Sequence, residues 1–353
     1  MTTTSIPSSR SPRPVNIGVV GIGFMGATHI KSYRKVPGAR VVAICDAVRL
    51  PVDGDLSGIV GNIGSAEPLK LDMTQVKAYR DFNELLANPE IELVDLCVPT
   101  PQHPALAIAA LQAGKHVLCE KPMARTSALA RDIAAAATQA KGFFMPAMVI
   151  RFWPEWAWVQ QAIDGQTYGQ VLAARIRRVS SPPGWSKASY FNGQESGGAL
   201  LDLHIHDTDF VQFCFGRPRS VFSVGATRFT GAIDHVITSY QVAAGIPVTA
   251  EGSWIMTDGF GFNMAFTVNF EKATADYDLS RGAEAFRLYE EGQPPRTLKF
   301  DGDDGYVGEL RHIIEAIQAG RPPSIVTAQD GLSAVEICEA EEKSIRLGQV
   351  VAL

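Results

Sequence analysis

The chain has 353 residues, enough for about two domains, and 46% of them are apolar and 20% charged, as in ordinary globular proteins. A net charge of −5 argues against nucleic acid or an anionic membrane as the main partner. No apolar run reaches the roughly 18 residues needed to cross a bilayer. The five cysteines form no C-x-x-C pair. They therefore favour reduced thiols in a cytoplasmic protein, and argue against a metal site or a disulfide framework.

The first segment of the chain is polar. Residues 1–13 are rich in Thr, Ser, Pro and Arg and have no apolar stretch like that of a signal peptide, so they are expected to be a disordered tail. We expect an NAD(P)-binding domain over residues 14–150 and a substrate-binding and oligomerisation domain over 151–353. An alternative expectation is that the C-terminal helix packs against the first domain.

A glycine-rich turn follows the first apolar run. Gly21 permits a tight turn out of a strand, Gly23 lets the backbone approach a pyrophosphate, and Gly26 lets the next helix lie close to the strand. The N-terminus of that helix offers free N–H groups to phosphates. A second apolar run, residues 40–45, ends at an acid. The predicted cofactor contacts in this unit are Gly21, Gly23, Phe24, Met25, Gly26 and Asp46.

Asp46 bears on which dinucleotide binds. It stands 20 residues after Gly26, where a carboxylate accepts hydrogen bonds from both ribose hydroxyls of an adenosine. Residues 47–72 are rich in Gly and Pro and are interpreted as an irregular insertion near the adenosine. Arg49 lies in this insertion and is placed to meet a 2′-phosphate, which Asp46 would repel. NAD is therefore favoured, and NADP stays open as an alternative.

Strand and helix patterns then alternate, which predicts a parallel sheet with right-handed crossovers. Helices are expected over 81–86, 105–113 and 127–140, and strands over 93–98, 116–119 and from 143 onward. Ligands of such sheets bind beyond the carboxyl ends of the strands. Two loops lie there, Thr100–His103 and Glu120–Pro122, and we expect Thr100, His103, Glu120 and Lys121 to contact the cofactor.

Two residues of these loops have competing interpretations. Lys121 is placed to hydrogen-bond a substrate hydroxyl and to move a proton in a nearly dry site. Spacing alone favours the other interpretation, a surface lysine in a turn fixed by Pro122. His103 either touches the cofactor or only caps the next helix and faces solvent.

The second half begins with an aromatic cluster and a long loop. Trp153, Trp156 and Trp158 indicate a core or an interface, and the loop over residues 181–196 contains Trp185. Strand patterns over 220–229, 234–242, 248–256 and 261–270 predict a mostly antiparallel open sheet whose exposed face would support a homodimer or homotetramer. Helices are expected over 307–319 and 328–346.

A helix is also expected over residues 197–210. Asp202, His206 and Asp209 stand at positions i, i+4 and i+7 and are predicted to share its polar face. A carboxylate one turn from a histidine fixes the ring's tautomer, which suits a general acid or base. An ordinary surface pair gives the same pattern. His204 and His206 point to different faces, so one helix does not supply a metal chelate.

These motifs together resemble the glucose–fructose oxidoreductase, inositol dehydrogenase and rhizopine-catabolism family (Gfo/Idh/MocA). The resemblance runs from about Val15 to the C-terminus. Its most specific carriers are Ala113-Gly114-Lys115-His116-Val117-Leu118-Cys119-Glu120-Lys121-Pro122 and Gly197-Gly198-Ala199-Leu200-Leu201-Asp202-x-x-x-His206-Asp207. It implies a Rossmann domain followed by a domain with a large, mostly antiparallel sheet.

The resemblance also implies an activity. Family members oxidise or reduce sugars, inositols and similar polyols with NAD(P), and Lys121, Asp202 and His206 map onto the family's catalytic residues. His204 replaces a frequent glycine and is therefore expected to line the pocket. Further substrate contacts are expected from Arg151, Trp153, Trp185 and Tyr306. Two alternatives stay open: glycoside hydrolysis by transient oxidation with bound NAD, and a regulator that binds NAD(P) without turnover.

Overall fold

The computed structural model describes residues 13–59, 68–184 and 191–353. Three sequence-based expectations therefore lie wholly or partly outside the described residues. They are the tail over residues 1–12, the middle of the 47–72 insertion, and the substrate contact expected from Trp185.

The first half is a six-stranded parallel sheet in the order β3-β2-β1-β4-β5-β6. Its strands are β1 Val15–Val20, β2 Ala39–Cys45, β3 Lys77–Tyr79, β4 Leu93–Leu96, β5 His116–Glu120 and β6 Phe144–Ala147. The helices between them are α1 Phe24–Tyr33, α2 Phe82–Ala87, α3 His103–Gln112 and α4 Ser127–Gln139. The order reverses direction at β1, so the carboxyl ends of β1 and β4 open a crevice for a ligand. The doubly wound α/β prediction is confirmed.

Local chemistry explains where these helices begin. The Asp81 side chain accepts from Asn83 N at 2.7 Å and starts α2, and the Thr126 side chain accepts from Leu129 N at 3.4 Å and starts α4. α3 begins at His103, after a short 3₁₀ turn over Thr100–Gln102, because Pro104 fits the first turn of a helix. This turn holds the loop after β4 at the carboxyl edge of the sheet.

The second half is a nine-stranded sheet in the order β14-β13-β12-β11-β7-β10-β9-β8-β15. Its strands are β7 Val171–Ser180, β8 Ser220–Ala226, β9 His235–Gln241, β10 Pro247–Ser253, β11 Phe262–Phe270, β12 Ala273–Asp278, β13 Phe286–Glu290, β14 Arg296–Leu298 and β15 Val351–Ala352. Among the described strands only β7 and β10 pair in parallel. The predicted large, mostly antiparallel sheet is confirmed.

The helices of the second half cover one face of this sheet and also reach the first. They are α5 Pro154–Asp164, α6 Gly193–Ser196, α7 Ile205–Phe215, α8 Gly305–Ala319 and α9 Ala328–Leu347, with 3₁₀ turns over Val149–Phe152 and Leu279–Glu284 and a π-type turn over Leu200–His204. Val307 and Leu310 of α8 are buried in the apolar core of the first half. On α9, the Glu339 carboxylate accepts from Ser127 N at 2.8 Å and from Ser127 Oγ at 2.6 Å. None of the described helices has both the length and the apolar character that crossing a bilayer requires.

The aromatic residues around α5 belong to the core of the second half. Trp156 is fully buried, and its ring packs edge-on against Phe266 at 4.9 Å and Tyr277 at 4.7 Å between centroids. Such T-shaped pairs are the favoured geometry of buried aromatic rings. Of the two interpretations of the tryptophan cluster, the core interpretation holds for Trp156.

Arg151 does not face the substrate region, and its predicted contact there is wrong. Its Nε and Nη2 donate to both carboxylate oxygens of Asp209 at 2.8 and 2.7 Å, and its Nη1 donates to Ile325 O at 2.7 Å. Arg151 and Asp209 are 4% and 1% exposed, so a buried arginine and a buried acid satisfy each other. Asp209 therefore points into the fold. The helical spacing had predicted that it shares a polar face with His206, and that prediction is wrong.

Replacing Arg151 by Met should lower the free energy of unfolding by about 3–5 kcal/mol, because Asp209 would stay buried without its partner. Denaturant unfolding measures this change. Arg131 provides the matched control, since it pairs with Glu336 at 2.9 Å while 59% exposed. Arg131→Met should cost less than about 1 kcal/mol. Equal losses in the two variants would contradict the buried-pair account.

Candidate active site

A cavity lies where the carboxyl edge of the first sheet meets α7 and the second sheet. Its walls come from the glycine turn, the end of β5, the segment after β6, the π-type turn with α7, and strands β7 and β11. The lining residues are Phe24, Met25, Glu120, Lys121, Val149, Ile150, Trp153, Arg178, Ser180, Pro183, Asp202, Leu203, His206, Trp254, Phe262, Met264 and Tyr306. All three predicted catalytic residues, together with the predicted contacts Trp153 and Tyr306, thus border one cavity.

Lys121 connects the two halves of the chain in this cavity. It follows β5 directly, and its Nζ donates to Asp202 O at 2.5 Å and to Asp202 Oδ1 at 3.1 Å. The two side chains are 15% and 18% exposed, so the contact is partly shielded from water. A surface lysine in a turn, the competing interpretation, does not describe this geometry. Lys121 holds a positive charge and N–H donors at the cavity wall.

His206 stands beside this pair in the first turn of α7. Burial lowers the pKa of its imidazole well below the usual value, and the positive charges of Lys121 and Arg178 lower it further. Its Nδ1 is buried and has no hydrogen-bond partner among the residues that the structure describes. The ring is therefore neutral near pH 7 and able to accept a proton, which is the state that a general base needs.

Asp202 makes a different contact from the one its spacing predicts. The intervening residues form a π-type turn before α7 begins at Ile205, so Asp202 and His206 are not one regular α-helical turn apart. Within the described parts of the chain, the side-chain partner of Asp202 is Lys121, and no hydrogen bond joins Asp202 to His206. Asp202 therefore orients Lys121. π-type turns are often found at functional sites.

A buried cluster of ionisable groups lies behind Glu120. His29 of α1 places Nδ1 2.9 Å from Asp95 Oδ2 and Nε2 3.2 Å from Glu120 Oε1. Although burial opposes the charged ring, Asp95 and Cys97 raise the pKa of His29 well above its usual value. A charged His29 lowers the pKa of Glu120 despite the burial of that acid. A fixed anion therefore stands directly before Lys121.

Two further groups complete this cluster. Burial raises the pKa of Glu309 well above its usual value, so this carboxyl is neutral, and its Oε1 lies 3.8 Å from His29 Nε2. The Sγ of Cys97 lies 3.5 Å from His29 Nδ1. The side chains of His29, Asp95 and Cys97 are of types that bind metal ions, and their potential ligand atoms lie within 4.8 Å of one another. The spacing of residues along the chain had indicated no metal site. His29 and Asp95 engage each other by a hydrogen bond, and only the tertiary fold reveals the group.

The glycine turn has the space that a dinucleotide needs. Gly21 has φ of +88°, and a Cβ there would lie 2.5 Å from Cys97 O. A Cβ on Gly26 would lie 2.1 Å from Gly21 O, whereas a Cβ on Gly23 would meet nothing within 4 Å. Gly23 is also the N-cap of α1 and provides no capping side chain. The first turn of α1 therefore has no side-chain cap among the described residues, and uncapped N–H groups at a helix N-terminus suit a phosphate.

Asp46 lies beside this turn at the end of β2. Its Oδ2 accepts from Ile22 N at 2.8 Å, and its Oδ1 accepts from Val48 N at 2.8 Å and Arg49 N at 2.7 Å. These bonds fix the carboxylate next to the glycines, where a ribose would follow the pyrophosphate. Arg49 contacts Asp46 through its backbone, and its residue surface is exposed.

His103 does not offer its ring to a ligand, so the predicted cofactor contact is corrected. It is 1% exposed, and its Nδ1 and Nε2 lie 2.8 Å from the carbonyl oxygens of Pro122 and Val98. Both ring nitrogens face backbone carbonyls, and burial lowers the pKa of the imidazole, so the neutral ring has one N–H and donates to one carbonyl at a time. His103 therefore ties the loop after β4 to the loop that carries Lys121. Thr100, at the start of the 3₁₀ turn, is half-buried.

His204 is likewise absent from the cavity wall, and its predicted role there is wrong. The side chain is fully buried, with Nε2 3.1 Å from the Tyr240 hydroxyl and 3.4 Å from Glu341 Oε1. A Cβ on Gly252 would lie 2.5 Å from His204 Cβ, so the histidine fills the space against β10. His204 points away from the cavity because residues i and i+2 of this segment face opposite directions.

Arg178 is a cavity residue that sequence reasoning missed. It lies in β7, 3% exposed, and its Nε and Nη2 donate to Asp207 Oδ1 at 3.1 and 2.9 Å. Arg175 and Arg177 lie in the same strand and have the same side chain as Arg178. Only the packing of the sheet distinguishes the three arginines. No local pattern would have singled out Arg178.

Comparisons with known proteins agree with this architecture. The family model GFO_IDH_MocA, described as an oxidoreductase family with an NAD-binding Rossmann fold, matches residues 15–148. The model of the GFO/IDH/MocA C-terminal domain matches residues 156–276. Together the two models span most of the chain.

Individual relatives are more distant. A myo-inositol 2-dehydrogenase of Thermotoga maritima is 26% identical over 96% of this chain and 98% of its own. A trans-1,2-dihydrobenzene-1,2-diol dehydrogenase of Bos taurus is 28% identical over 76% of this chain and 82% of its own. A levoglucosan dehydrogenase, solved in complex with NADH and levoglucosan, has a TM-score of 0.83 at 21% identity over 96% of this chain and 99% of its own. With both family models matched in chain order, this protein belongs to the Gfo/Idh/MocA family of NAD-binding oxidoreductases.

Proposed function

We propose that this oxidoreductase transfers hydride between NAD and a secondary alcohol or ketone of a sugar, inositol or related polyol. The observation that carries the proposal is that Lys121, Asp202 and His206 meet at one cavity beside the glycine turn. The relatives named as inositol and dihydrodiol dehydrogenases support this class of substrate.

The dinucleotide would be held by the glycine turn, the N-terminus of α1 and Asp46, with Glu120 and Lys121 near its nicotinamide end. When bound, NAD supplies the hydride acceptor. The orphan N–H groups after Gly23 would bind the pyrophosphate, and Asp46 would accept from ribose hydroxyls. The Asp46 carboxylate disfavours a 2′-phosphate, which supports NAD over NADP.

We assign the proton chemistry to His206 and Lys121. The neutral His206 imidazole takes the hydroxyl proton as the carbinol carbon is oxidised. Lys121 donates to the same oxygen and offsets the negative charge that develops on it. Asp202 holds Lys121 in place through Oδ1. In the reverse direction His206 returns the proton to the carbonyl oxygen.

Replacing His206 by Asn or Lys121 by Met should lower kcat about 10²–10⁴-fold in an assay of NADH formation with an accepted polyol. Lys77 provides a control, because it is 61% exposed and pairs with Glu90. Lys77→Met should keep wild-type turnover. Wild-type turnover in both site variants would disprove the assignment. Release of an aglycone from a glycoside without net NADH would point instead to hydrolysis by transient oxidation.

The pH dependence gives a second readout for His206. Because its pKa is lowered, the ring stays neutral until the pH falls below its usual value of about 6.5. The acid limb of kcat/KM for alcohol oxidation should therefore lie below pH 6.5. A limb above that value would show that His206 is not the base.

Two glycine variants separate cofactor binding from folding. In Gly26→Ala the new methyl group would meet Gly21 O, so the midpoint of thermal unfolding should fall. In Gly23→Ala the methyl group meets no protein atom, so the fold should keep its stability. The Gly23 variant should nevertheless bind NAD at least about tenfold more weakly by titration calorimetry, because its methyl group occupies the space for the pyrophosphate. Unchanged affinity in Gly23→Ala would contradict the placement of the cofactor.

We also propose that the protein is a cytoplasmic homo-oligomer that assembles through the outer face of the second sheet. Phe222, Val224 and Ile237 are 42%, 51% and 42% exposed, and Val224 pairs with Ile237 across β8 and β9. Val224→Lys should reduce the molar mass measured by light scattering to that of a monomer. Val52→Lys, at a residue 67% exposed in the first half, should leave the mass unchanged. A monomeric wild type would contradict the proposal.

A further inference from the structure

Three buried residues behind the cavity alternate in charge, and we call them the acid–histidine–acid array. Asp95 of β4, His29 of α1 and Glu120 of β5 are 0%, 0% and 6% exposed. His29 Nδ1 lies 2.9 Å from Asp95 Oδ2, and its Nε2 lies 3.2 Å from Glu120 Oε1. One imidazolium thus faces two carboxylates, so the array keeps one negative charge. Of its three members, Glu120 is the one that lines the cavity.

The other charges at the cavity are compensated in pairs. Lys121 Nζ lies 3.1 Å from Asp202 Oδ1. Arg178 Nη2 lies 2.9 Å from Asp207 Oδ1. The carboxyl group of Glu309, which lies close to the array, is neutral because burial raises its pKa. Among the described residues that line the cavity or pair with its lining, the uncompensated charge is therefore negative and belongs to the array.

The Glu120 carboxylate is held in one orientation. Its Oε1 faces His29, and its Oε2 accepts from Lys121 N at 3.0 Å. Burial disfavours the anion, but the contact with the charged His29 outweighs that effect and lowers the pKa of this carboxyl, so Glu120 is ionised near pH 7. A charge that is fixed and shielded from water interacts with a ligand more strongly than a mobile, solvated charge does.

A cofactor with a positively charged ring matches this fixed anion. The nicotinamide ring of NAD⁺ carries one positive charge, and the ring of NADH carries none because the accepted hydride neutralises it. Glu120 lines the same cavity as Lys121 and His206, where the hydride transfer is proposed. An anion in this cavity therefore stabilises the oxidised ring relative to the reduced ring.

We propose that Glu120 recognises the positive charge of the oxidised nicotinamide ring, and that His29 is the positioning residue which holds Glu120. This inference rests on the proposed function and deepens it, because it names the group that distinguishes NAD⁺ from NADH. Stabilising NAD⁺ lowers the reduction potential of the bound cofactor, so the array biases the reaction toward the alcohol. A tenfold difference in affinity corresponds to about 30 mV for a two-electron couple.

The wild-type protein tests the role of the ring charge directly. Benzamide adenine dinucleotide has the flat ring and the carboxamide of NAD⁺ but no charge on the ring. Titration calorimetry should show at least about tenfold tighter binding of NAD⁺, because the two ligands differ in the charge that meets Glu120. Equal affinities, together with NADH formation from a polyol, would overturn this inference and leave the proposed function standing. Binding of neither dinucleotide, nor of NADP⁺, would overturn both.

Glu120→Gln keeps the size of the side chain and removes its charge. The variant should lose most of the preference for NAD⁺ over the benzamide analogue, and its ratio of Kd for NADH to Kd for NAD⁺ should fall about tenfold. ADP-ribose lacks the nicotinamide ring and should bind with unchanged affinity, which reports an intact fold. An unchanged preference for NAD⁺ in this variant would contradict the role of Glu120.

Glu92→Gln is the matched control for the loss of a carboxylate. Glu92 pairs with Arg13 and directly precedes β4, so it lies at the amino ends of the strands, away from the cavity. This variant should keep the wild-type preference for NAD⁺ and the wild-type ratio of the two Kd values. A loss as large as that in Glu120→Gln would contradict a local effect of the array.

His29→Leu tests the positioning role. Without the imidazolium, the buried carboxyl of Glu120 favours its neutral form, so the preference for NAD⁺ should fall as it does in Glu120→Gln. In the double variant, His29→Leu should cause no further change in this preference, because the histidine acts through Glu120. A loss of equal size in both backgrounds would show that His29 acts on ligand binding by another route and would contradict its positioning role.

Discussion

The contact between Lys121 and Asp202 is the constraint on which the arrangement of the site depends. Lys121 directly follows β5 of the first sheet, and Asp202 belongs to the π-type turn that precedes α7, so the pair forms only when both halves are packed together. The packing of the two halves is also supported by α8 and α9, which follow β14 in the chain yet bury apolar side chains in the core of the first half. The candidate site therefore depends on the packing of both halves of the chain.

Local signals predicted the parts of this structure that depend on local geometry. The glycine turn, the helix after it and Asp46 lie within one strand–helix–strand unit, where spacing fixes position. The end of a parallel strand is a defined place at the edge of the sheet and drew attention to Lys121, but spacing alone favoured a surface lysine, and it was the family resemblance that pointed to a role in the site. The two sheets were predictable from alternation and from runs of strands, and the family resemblance joined them.

The predictions that failed concern polar side chains whose partners lie outside their own helix or turn. Arg151 was expected at the substrate, but Asp209, 58 residues away, satisfies it inside the fold. His204 and His103 were also placed by residue type, although Tyr240 binds the first and backbone carbonyls bind the second. Histidine and arginine side chains make the same kinds of hydrogen bond and ion pair with a ligand as with buried groups of the protein. Only the tertiary fold decides between these roles, and Arg178 was missed for the same reason.

His204 and His206 are two residues apart in the chain, yet the first belongs to the core and the second borders the cavity. Their electrostatic surroundings differ accordingly. Both rings lose hydration on burial, which favours the neutral form. Glu341 overcomes that effect at His204 and raises its pKa, whereas His206 faces the positive charges of Lys121 and Arg178, which lower its pKa further. The ring with the raised pKa is therefore buried in the core beside Glu341, and the ring with the lowered pKa borders the cavity. Lys121 thus has two effects in the proposed reaction, since the charge that stabilises the substrate oxygen also keeps the neighbouring base unprotonated.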